Sequence, residues 1–449
     1  MITRIEIDGF KSFENFALDL PPFLVLIGTN ASGKSNLLDA VTFVATTATR
    51  GVDAAVAEVR GDPRGLFRRR GDGNRVDRMR FALEILLPGR LSHLCRYELD
   101  LVWAEPVGAI EGIVAERQRI VRLGPESSLR WASAVGVAAE GLRPWPVPLK
   151  AGHVIDLTGM PPVIGSGATK PEQARAELEN LANTLLHSPS RPGTDVERAD
   201  ETILAGVWQE LNLVRFLHLE AGALRRTSEL GGPSRMDATG RDLPNYLRSL
   251  MLRTASDNRP LGVVGDIKMH LTGLVREISD FTVDKDDRRR DVRLEFFSPY
   301  EQRLDAEFAS DGTLRMLAIL ASLHDDGVVA VEEPENGVFP ERLRQLLNLA
   351  RGLVTDLRQS VEDDGRDNTA WHRQAIFTSH SPVVLDAVPY ENIAFLDMTT
   401  VIEDGVPSRV SRVRRLREDA GPVRVAGERW PRVTDSELDR FRAGVEEPV

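Results

Sequence analysis

The amino-acid sequence predicts an α/β fold with a mixed sheet at its core, an antiparallel β-subdomain and a helical lobe. Three patterns support this class. An apolar run at 23–27 leads through a glycine-rich loop into a segment with helix-spaced apolar residues. Apolar and polar residues alternate in several segments between 78 and 124, as they do in a half-buried antiparallel layer. From residue 306 onward helical and strand patterns alternate, which favours parallel strands joined by helices.

The loop at 28–36 reads GTNASGKSN and fits the pattern G-x-x-x-x-G-K-[ST]. Such a loop needs glycines so that backbone N–H groups can close around phosphate oxygens. It also needs a lysine that reaches the terminal phosphates and a hydroxyl that meets Mg²⁺. The strand before the loop and the helix after it place the positive end of a helix dipole at the anion. The pattern therefore predicts that the loop binds the phosphates of a nucleotide.

The chain divides into three predicted parts. Residues 1–140 form the first part of a nucleotide-binding lobe, with the phosphate loop and the antiparallel layer. Residues 141–300 form a Pro- and Gly-rich linker followed by an inserted helical lobe. Residues 301–449 complete the core and end in a short basic tail. No motif anchors the stretch 105–210, so its role stays open.

The elements of the later parts follow from their apolar spacing. Helices are predicted at 171–186, 242–254, 311–323, 340–357 and 382–388. Strands are predicted at 280–286, 292–300, 328–333, 375–379 and 392–397.

Composition bounds the class of protein. The 449 residues are 42% hydrophobic and 28% charged, which is ordinary for a globular domain, and no apolar run approaches the roughly 18 residues that a membrane helix needs. The N-terminus reads as a strand rather than as a signal peptide. A single cysteine, Cys95, excludes an intrachain disulfide and suits a reducing compartment. We therefore expect a cytoplasmic protein with no membrane partner.

The charged residues do not decide whether the protein binds nucleic acid. The formal net charge is 57 − 68 = −11, which gives no global attraction to a polyanion. Arginines nevertheless cluster at 60–80, 288–293 and 409–417, and each cluster is a candidate phosphate-contact surface. The alternative is that these runs are solvated faces paired with nearby acids.

Three further stretches carry candidate chemistry. Glu332 and Glu333 end an apolar strand, where one carboxylate can hold Mg²⁺ through water and the next can orient or deprotonate an attacking water. His380 follows another predicted strand and could donate a hydrogen bond to a γ-phosphate. Ser310 and Gly312 lie at the start of a helix, where backbone N–H groups are available. The alternative for Ser310 is an ordinary N-cap.

The ordered motifs FKSF, GTNASGKSN, ASDGTLR, VEEPENGVFP and TSHSP resemble the SMC/RecF-like branch of ABC-type ATPases. Within that branch the chain is most similar to stand-alone predicted AAA-family ATPases that lack coiled-coil arms. The resemblance covers about 1–50 and 210–400. It implies a P-loop NTPase fold of ABC/SMC-head type, with ATP and Mg²⁺ as cofactors and a homodimer in which two heads sandwich ATP.

The resemblance also implies residue roles. Glu333 is the catalytic base, assisted by Lys34 and by His380 as the switch histidine. Ser35 and Glu332, the latter at the Walker B position, hold Mg²⁺. Ser310 and Gly312 belong to the signature motif, which reaches the ATP of a second subunit, and Asn336 lies at the dimer seam. The remaining nucleotide-binding positions are those of the phosphate loop: Gly28, Asn30, Gly33, Lys34, Ser35 and Asn36.

The chain departs from the family pattern at three places. Glu332 stands where many relatives have aspartate, and its extra methylene changes how water bridges to Mg²⁺. Phe339 stands where the nearest relatives have histidine. A glutamine loop is not identifiable, because Gln118 is better interpreted as a polar residue of a strand. These departures lead us to expect slow hydrolysis.

Two functions remain open. In the first, ATP closes a dimer, hydrolysis reopens it, and the closed state acts on DNA or a partner protein in a setting such as DNA repair or phage defence. In the second, ATP occupancy is a switch or scaffold that regulates a separate effector, such as a nuclease or toxin encoded nearby, with little turnover. A transporter subunit is disfavoured because SDGTLR replaces the usual SGGQ signature. An intrinsic nuclease is disfavoured because the 449 − 380 = 69 residues after His380 show no spaced acidic cluster.

Overall fold

The computed structural model describes residues 1–87, 94–104, 112–123, 151–158, 195–300, 303–357, 372–414, 416 and 433–443. The helix predicted at 171–186 lies outside the described residues, as does most of the linker before it. The chain forms two compact units. The first comprises Met1–Val214, Thr355–His372 and Tyr390–Val449, and the second comprises Arg215–Val354 and Arg373–Pro389.

The first unit contains a six-stranded antiparallel sheet. Its strands pair in the order β2-β1-β4-β5-β6-β7. They span Ile2–Asp8 (β1), Phe16–Asp19 (β2), Arg78–Leu86 (β4), Leu94–Ala104 (β5), Gly112–Arg122 (β6) and Val154–Asp156 (β7). The alternating segments of the sequence form β4 to β6, because alternation places apolar side chains on one face of a strand. This sheet is the predicted antiparallel β-subdomain.

The first unit also contains the strand that carries the phosphate loop. Strand β3 (Phe23–Gly28) is buried along its whole length and runs parallel to β15 (Ile393–Glu403), which pairs antiparallel with β16 (Val406–Arg414). A continuous apolar run is expected of such a strand, since both of its faces are covered. The helices of this unit span Lys34–Arg50 (α1), Val52–Glu58 (α2), Asp195–Asn212 (α3) and Asp435–Arg442 (α10).

The second unit is built on three parallel strands. They pair in the order β14-β13-β8 and span Arg215–Leu217 (β8), Gly327–Glu332 (β13) and Arg373–Ser379 (β14). Its helices span Ala221–Leu224 (α4), Leu243–Thr254 (α5), Val263–Leu274 (α6), Asp311–Leu323 (α7), Pro340–Leu353 (α8) and Val384–Ala387 (α9). A small antiparallel layer contains Ser228–Glu229 (β9), Asp280–Asp286 (β10), Asp291–Phe297 (β11) and Leu304–Asp305 (β12).

The predicted α/β class, with parallel strands, an antiparallel β-layer and a set of inserted helices, is confirmed. Two helices are shorter than predicted. Helix α8 ends at Leu353, where Val354 turns to an extended conformation, although apolar spacing continues to Leu357; Leu357 is buried on non-helical chain. Helix α9 spans four residues, Val384–Ala387, where seven were predicted. Among the described helices, none combines the length and the apolar composition needed to cross a membrane.

Candidate active site

The phosphate loop leaves β3 at Gly28 and enters α1 at Lys34. The Lys34 side chain is buried, and its ammonium group donates hydrogen bonds to the carbonyl oxygens of Gly28 and Thr29, each at 2.8 Å. The backbone curls because Ala31 has a φ of 59° and Gly33 a φ of 100°, both in the left-handed region. Asn30 is exposed on this loop and Ser35 is half-buried in the first turn of α1.

Two glycines of the loop have no room for a side chain. A Cβ atom at Gly28 would lie 2.0 Å from the carbonyl oxygen of Leu396, and one at Gly33 would lie 2.2 Å from the hydroxyl of Ser411. The loop therefore keeps its backbone pressed against β15 and β16, which only glycine allows at these two positions. A curled backbone, a buried lysine and a helix N-terminus together form a donor set that fits the phosphates of a nucleotide.

The phosphate loop is braced by a chain of hydrogen bonds that sequence analysis missed. Ser411 on β16 donates its hydroxyl proton to the carbonyl oxygen of Ser32 at 2.8 Å. Its oxygen lies 2.7 Å from the hydroxyl of Ser12, so Ser12 donates to Ser411. Ser12 in turn accepts from the side-chain amide of Asn36 at 2.9 Å. The structure thus directs Asn36, a predicted nucleotide-binding residue, toward Ser12.

In the second unit, polar residues meet where the parallel strands end. Glu332 is the last residue of β13 and pairs with Thr378 of β14, so Ser379 and His380 follow beside it. On the other side β8 pairs with β13 and ends at Leu217, one residue before His218. The carboxyl ends of parallel strands are the usual location of ligand sites in α/β proteins. The register of these three strands therefore determines which side chains converge.

Glu332 is the more buried of the two consecutive carboxylates. Its side chain is 4% exposed, and its Oε2 atom lies 2.6 Å from Nδ1 of His218. An ionised carboxylate can only accept a hydrogen bond, so Nδ1 of His218 is the donor. The sequence signal for His218 was its place one residue after a short strand, which becomes informative only once β8 is known to pair with β13.

Glu333 adopts an unusual backbone conformation. Its φ is 48°, in the left-handed region that non-glycine residues seldom occupy, and such strained residues cluster at functional sites. Its side chain is 36% exposed and lies between two polar groups. Oε2 accepts from the side-chain amide of Asn336 at 2.9 Å, and Oε1 lies 3.3 Å from Nε2 of His380. The structure thus brings together three of the predicted site residues.

Glu335 holds the segment that carries His380. Its Oε1 atom accepts from the hydroxyl of Ser379 at 2.9 Å and from the backbone N–H of His380 at 2.7 Å. Sequence analysis did not single out Glu335. The third acid in VEEPENG was its signal, but a glutamate in a turn is usually solvated. Only its contacts with Ser379 and His380 distinguish Glu335 from a solvated glutamate.

The signature segment begins helix α7. Ser310 is the N-cap: its hydroxyl oxygen accepts from the backbone N–H of Thr313 at 3.2 Å and lies 2.7 Å from the hydroxyl of that residue. Gly312 packs directly on the turn that follows Glu333, since a Cβ atom there would lie 2.5 Å from the carbonyl oxygen of Gly337. Asp311 pairs with Arg225. The start of α7 is therefore fixed against the loop that carries Asn336.

Two models of protein families match the chain. One, described as "AAA domain, putative AbiEii toxin, Type IV TA system", matches residues 232–386, and the other, described as "AAA ATPase domain", matches residues 1–63. The second match contains the phosphate loop, and the first contains the signature segment, both carboxylates and His380. The stretches 1–63 and 232–386 are thus similar to AAA-type ATPase domains, in agreement with the resemblance that the ordered motifs carry.

The individual proteins to which the chain is similar are distant or match over short stretches. The chromosome partition protein Smc of Methanocaldococcus jannaschii is 48% identical over 44 residues, which are 10% of this chain and 4% of that protein. A solved Smc head bound to the C-winged helix domain of ScpA has a TM-score of 0.46 and 12% identity, covering 91% of this chain and 97% of that one. The SMC head domain from Thermotoga maritima has a TM-score of 0.40 and 10% identity, covering 93% and 99%.

Two of the residues that depart from the pattern of the resembling ATPases have clear positions in the structure. Phe339 is the N-cap residue of α8; it is 71% exposed, and the guanidinium carbon of Arg342 lies 5.7 Å from its ring centroid. Gln118 is buried in β6 and donates to the hydroxyl of Tyr97 at 3.0 Å. Gln118 is thus a polar residue packed within the antiparallel sheet, as its sequence context indicated.

Most described arginines of the three clusters are paired with acids. In the first cluster Arg68 is buried against Glu403. In the third cluster, the described arginines up to Arg414 lie on strand β16, and Arg414 bonds to Asp397 and Glu437. The other pairs are Arg60–Asp39, Arg64–Asp77, Arg70–Asp404, Arg78–Glu116, Arg80–Asp8, Arg289–Asp286, Arg293–Asp291 and Arg412–Asp397. The geometry favours the interpretation of these runs as acid-paired faces.

The side chains predicted to hold Mg²⁺ are of a suitable type. Ser35 offers a hydroxyl and Glu332 a carboxylate, and Mg²⁺ in nucleotide sites is held by one or two such oxygens together with phosphates and water. Within the described ranges, no group of three or more His, Cys, Asp or Glu residues is placed to form an all-protein metal cage. Each of the two side chains is thus of a type that suits a metal arriving with the nucleotide.

Proposed function

We propose that this chain binds and hydrolyses ATP with Mg²⁺ in the cytoplasm, and that ATP-driven pairing of two copies acts on a partner protein or on DNA, in phage defence or DNA repair. The observation that carries the proposal is the placement of Glu333. Its carboxylate lies between Asn336 and His380 at the carboxyl ends of parallel strands, on a strained backbone. A carboxylate fixed by two polar neighbours is suited to orient a water molecule.

Each element of the site has a defined task in this proposal. The loop N–H groups and Lys34 bind the phosphates, and the Lys34 ammonium exchanges its bonds to Gly28 and Thr29 for phosphate oxygens. Ser35 and Glu332 would hold Mg²⁺, which would supply positive charge beside the transferred phosphoryl group. Glu333 accepts a hydrogen bond from the attacking water and orients it. Asn336 and His380 keep the Glu333 carboxylate in one orientation, which lowers the entropic cost of the reactive geometry.

The dimer follows from the signature segment. Ser310 and Gly312 lie at the N-terminus of α7, where helix N–H groups can donate to an anion. The family resemblance implies that this N-terminus reaches the γ-phosphate of ATP held by a second copy. Two copies then form two composite sites, and ATP stabilises the pair by its differential affinity for the closed state.

The charges favour a protein partner over DNA. The formal net charge is −11, and the arginines that could contact phosphates are mostly paired with carboxylates. A protein that bound DNA strongly would require free cations to displace counterions.

A second function, an ATP-occupancy switch that regulates a separate effector, also has support. The family description that matches 232–386 names a toxin of a type IV toxin–antitoxin system. The departures at Glu332 and Phe339 lead us to expect slow ATP hydrolysis. A switch tolerates slow hydrolysis, because it needs only that ATP bind one state of the protein more tightly than the other.

One experiment separates the two functions. Phosphate release is measured for the wild type, Lys34→Ala and Glu333→Gln, alone, with DNA and with the product of any neighbouring gene, while sedimentation velocity with ATP reports pairing. We expect Lys34→Ala to lose ATP binding and Glu333→Gln to bind ATP, pair and release phosphate at least roughly 100-fold more slowly. Full biological activity of Glu333→Gln favours the switch. A Glu333→Gln protein that turns over at the wild-type rate contradicts the catalytic assignment.

A further inference from the structure

His218 and Glu332 meet at the edge of the parallel strands of the second unit. Nδ1 of His218 lies 2.6 Å from Oε2 of Glu332; the Glu332 side chain is 4% exposed and that of His218 is 51% exposed. We propose that His218 is a positioning residue, which orients the Glu332 carboxylate toward the hydrated Mg²⁺ of bound ATP. The inference rests on the proposed function, because it requires Glu332 to be a magnesium ligand.

The strand pairing brings the imidazole to Glu332. β8 runs parallel to β13 with Leu217 opposite Val331, so the next residue on each strand is His218 on one side and Glu332 on the other. Side chains at equivalent positions of neighbouring parallel strands point to the same face of the sheet. The contact between His218 and Glu332 therefore follows from the register in which β8 pairs with β13.

A tight turn fixes the backbone of His218 from the other side. Its N–H donates to the carbonyl oxygen of Ala238 at 2.8 Å. Ala238 belongs to a turn closed by Asp237, whose Oδ1 atom accepts from the backbone N–H groups of Thr239 and Arg241, both at 2.9 Å. Because the backbone is held at this point, the imidazole starts from a defined position and loses little freedom when it donates to Glu332.

The contact compensates for the longer side chain at this position. A glutamate has one more rotatable bond than an aspartate, so its carboxylate samples more orientations. A hydrogen bond to Oε2 fixes the plane of the carboxylate and thereby the direction of both oxygens. Groups that orient a metal ligand in this way commonly affect metal affinity by about 10–100-fold. His218 thus restricts the Glu332 carboxylate to one orientation, which the shorter side chain of an aspartate would need less help to keep.

The test compares two substitutions that differ in the donor. His218→Asn places an amide N–H close to the position of Nδ1, whereas His218→Phe keeps a ring without a donor. Binding of a fluorescent ATP analogue is measured as a function of Mg²⁺ concentration and again in EDTA. We expect His218→Phe to raise the Mg²⁺ concentration for half-maximal binding roughly tenfold, His218→Asn to stay within about threefold of wild type, and metal-free binding to be unchanged.

His153 supplies a matched control. Its Nε2 atom lies 2.7 Å from Oδ1 of Asp200, a similar histidine–carboxylate pair in the first unit, so His153→Phe should leave the Mg²⁺ dependence at the wild-type value. Should His218→Phe not fold, His218→Leu gives the same comparison with the asparagine.

The outcomes are distinguishable. Equal impairment of His218→Phe and His218→Asn, or no shift in either while Glu332→Ala does shift the Mg²⁺ dependence, overturns the inference and leaves the proposed function standing. Failure of the wild type to bind the ATP analogue, or binding that is unaffected by Lys34→Ala, overturns the proposed function itself.

Discussion

Glu335 accepts a hydrogen bond from the backbone N–H of His380 at 2.7 Å, across a separation of 45 residues. The same carboxylate oxygen accepts from the hydroxyl of Ser379 at 2.9 Å. The turn after Glu333 and the segment after β14 are thereby tied to each other through one side chain. Since Nε2 of His380 lies 3.3 Å from Glu333, the bond to Glu335 helps to set that distance.

Glu335→Ala should therefore reduce turnover more than substrate binding. We expect kcat to fall roughly tenfold with KM nearly unchanged, and stability to fall by about 1–3 kcal/mol because two donors lose their acceptor. Steady-state phosphate release and thermal unfolding measure the two effects. Glu341→Ala is the control, since the Glu341 side chain is 69% exposed on α8. A loss of stability with wild-type kcat would show that Glu335 is only structural.

Ser411→Ala should weaken nucleotide binding although Ser411 lies on the C-terminal strand β16. The substitution removes the bond to the Ser32 carbonyl and the acceptor for Ser12, which brace the phosphate loop. If removing these two bonds weakens ATP binding by a net amount of about 1 kcal/mol, the Kd for ATP rises roughly fivefold, which calorimetry measures. Ser408→Ala on the same strand is the control, because the Ser408 hydroxyl accepts from Gly71. An equal rise in both variants would indicate general destabilisation.

The candidate site residues that can be proposed from the sequence are those that are encoded locally. The phosphate loop is a short pattern between an apolar strand and a helix, and Glu332 and Glu333 end a continuous apolar run. His380 follows another such run. In each case the residue type and its neighbours within ten positions determine both the element and the position on it.

The supporting residues could not be predicted in this way. Ser12 and Ser411 are 399 residues apart, and their contact depends on how β16 pairs with β15. His218 became recognisable only from the register of β8. Arg414 reads as part of a basic tail until its bonds to Asp397 and Glu437 are seen. Strand register and long-range pairing are set by the whole core, so a single sequence leaves them undetermined.

Acid should destabilise the packing of α6 on α7 through a histidine pair. Nδ1 of His270 lies 2.8 Å from Nε2 of His324, and the rings are stacked. Burial, with His270 as the next cause, lowers the pKa of His324 to about 4, and burial also lowers the pKa of His270. The unfolded chain, with histidine pKa values near 6.5, then binds more protons than the folded chain between about pH 6.5 and 4, so stability falls as the pH falls through that range.

The size of this effect follows from His324. A lowering from 6.5 to about 4 corresponds to a loss of up to about 3 kcal/mol at the acid end. His324→Gln removes the titrating group and should flatten this part of the profile, measured by urea unfolding from pH 7.5 to 4.5. Parallel profiles for the wild type and His324→Gln would contradict the assignment.

Gly312→Ala should abolish ATP hydrolysis although it replaces none of the carboxylates of the candidate site. The added Cβ atom would lie 2.5 Å from the carbonyl oxygen of Gly337, so either α7 or the turn after Glu333 must move. That turn also carries Asn336, which bonds to Glu333 at 2.9 Å, and the displacement therefore reaches the proposed catalytic base. Overpacking of this kind costs about 1–3 kcal/mol, and we expect phosphate release to fall at least roughly 100-fold.

Gly273→Ala is the matched control, because a Cβ atom at that helical glycine has no neighbour within 4 Å. It should stabilise the protein by about 0.5–1 kcal/mol and leave phosphate release unchanged. Wild-type turnover by Gly312→Ala would show that the turn can shift without disturbing Glu333.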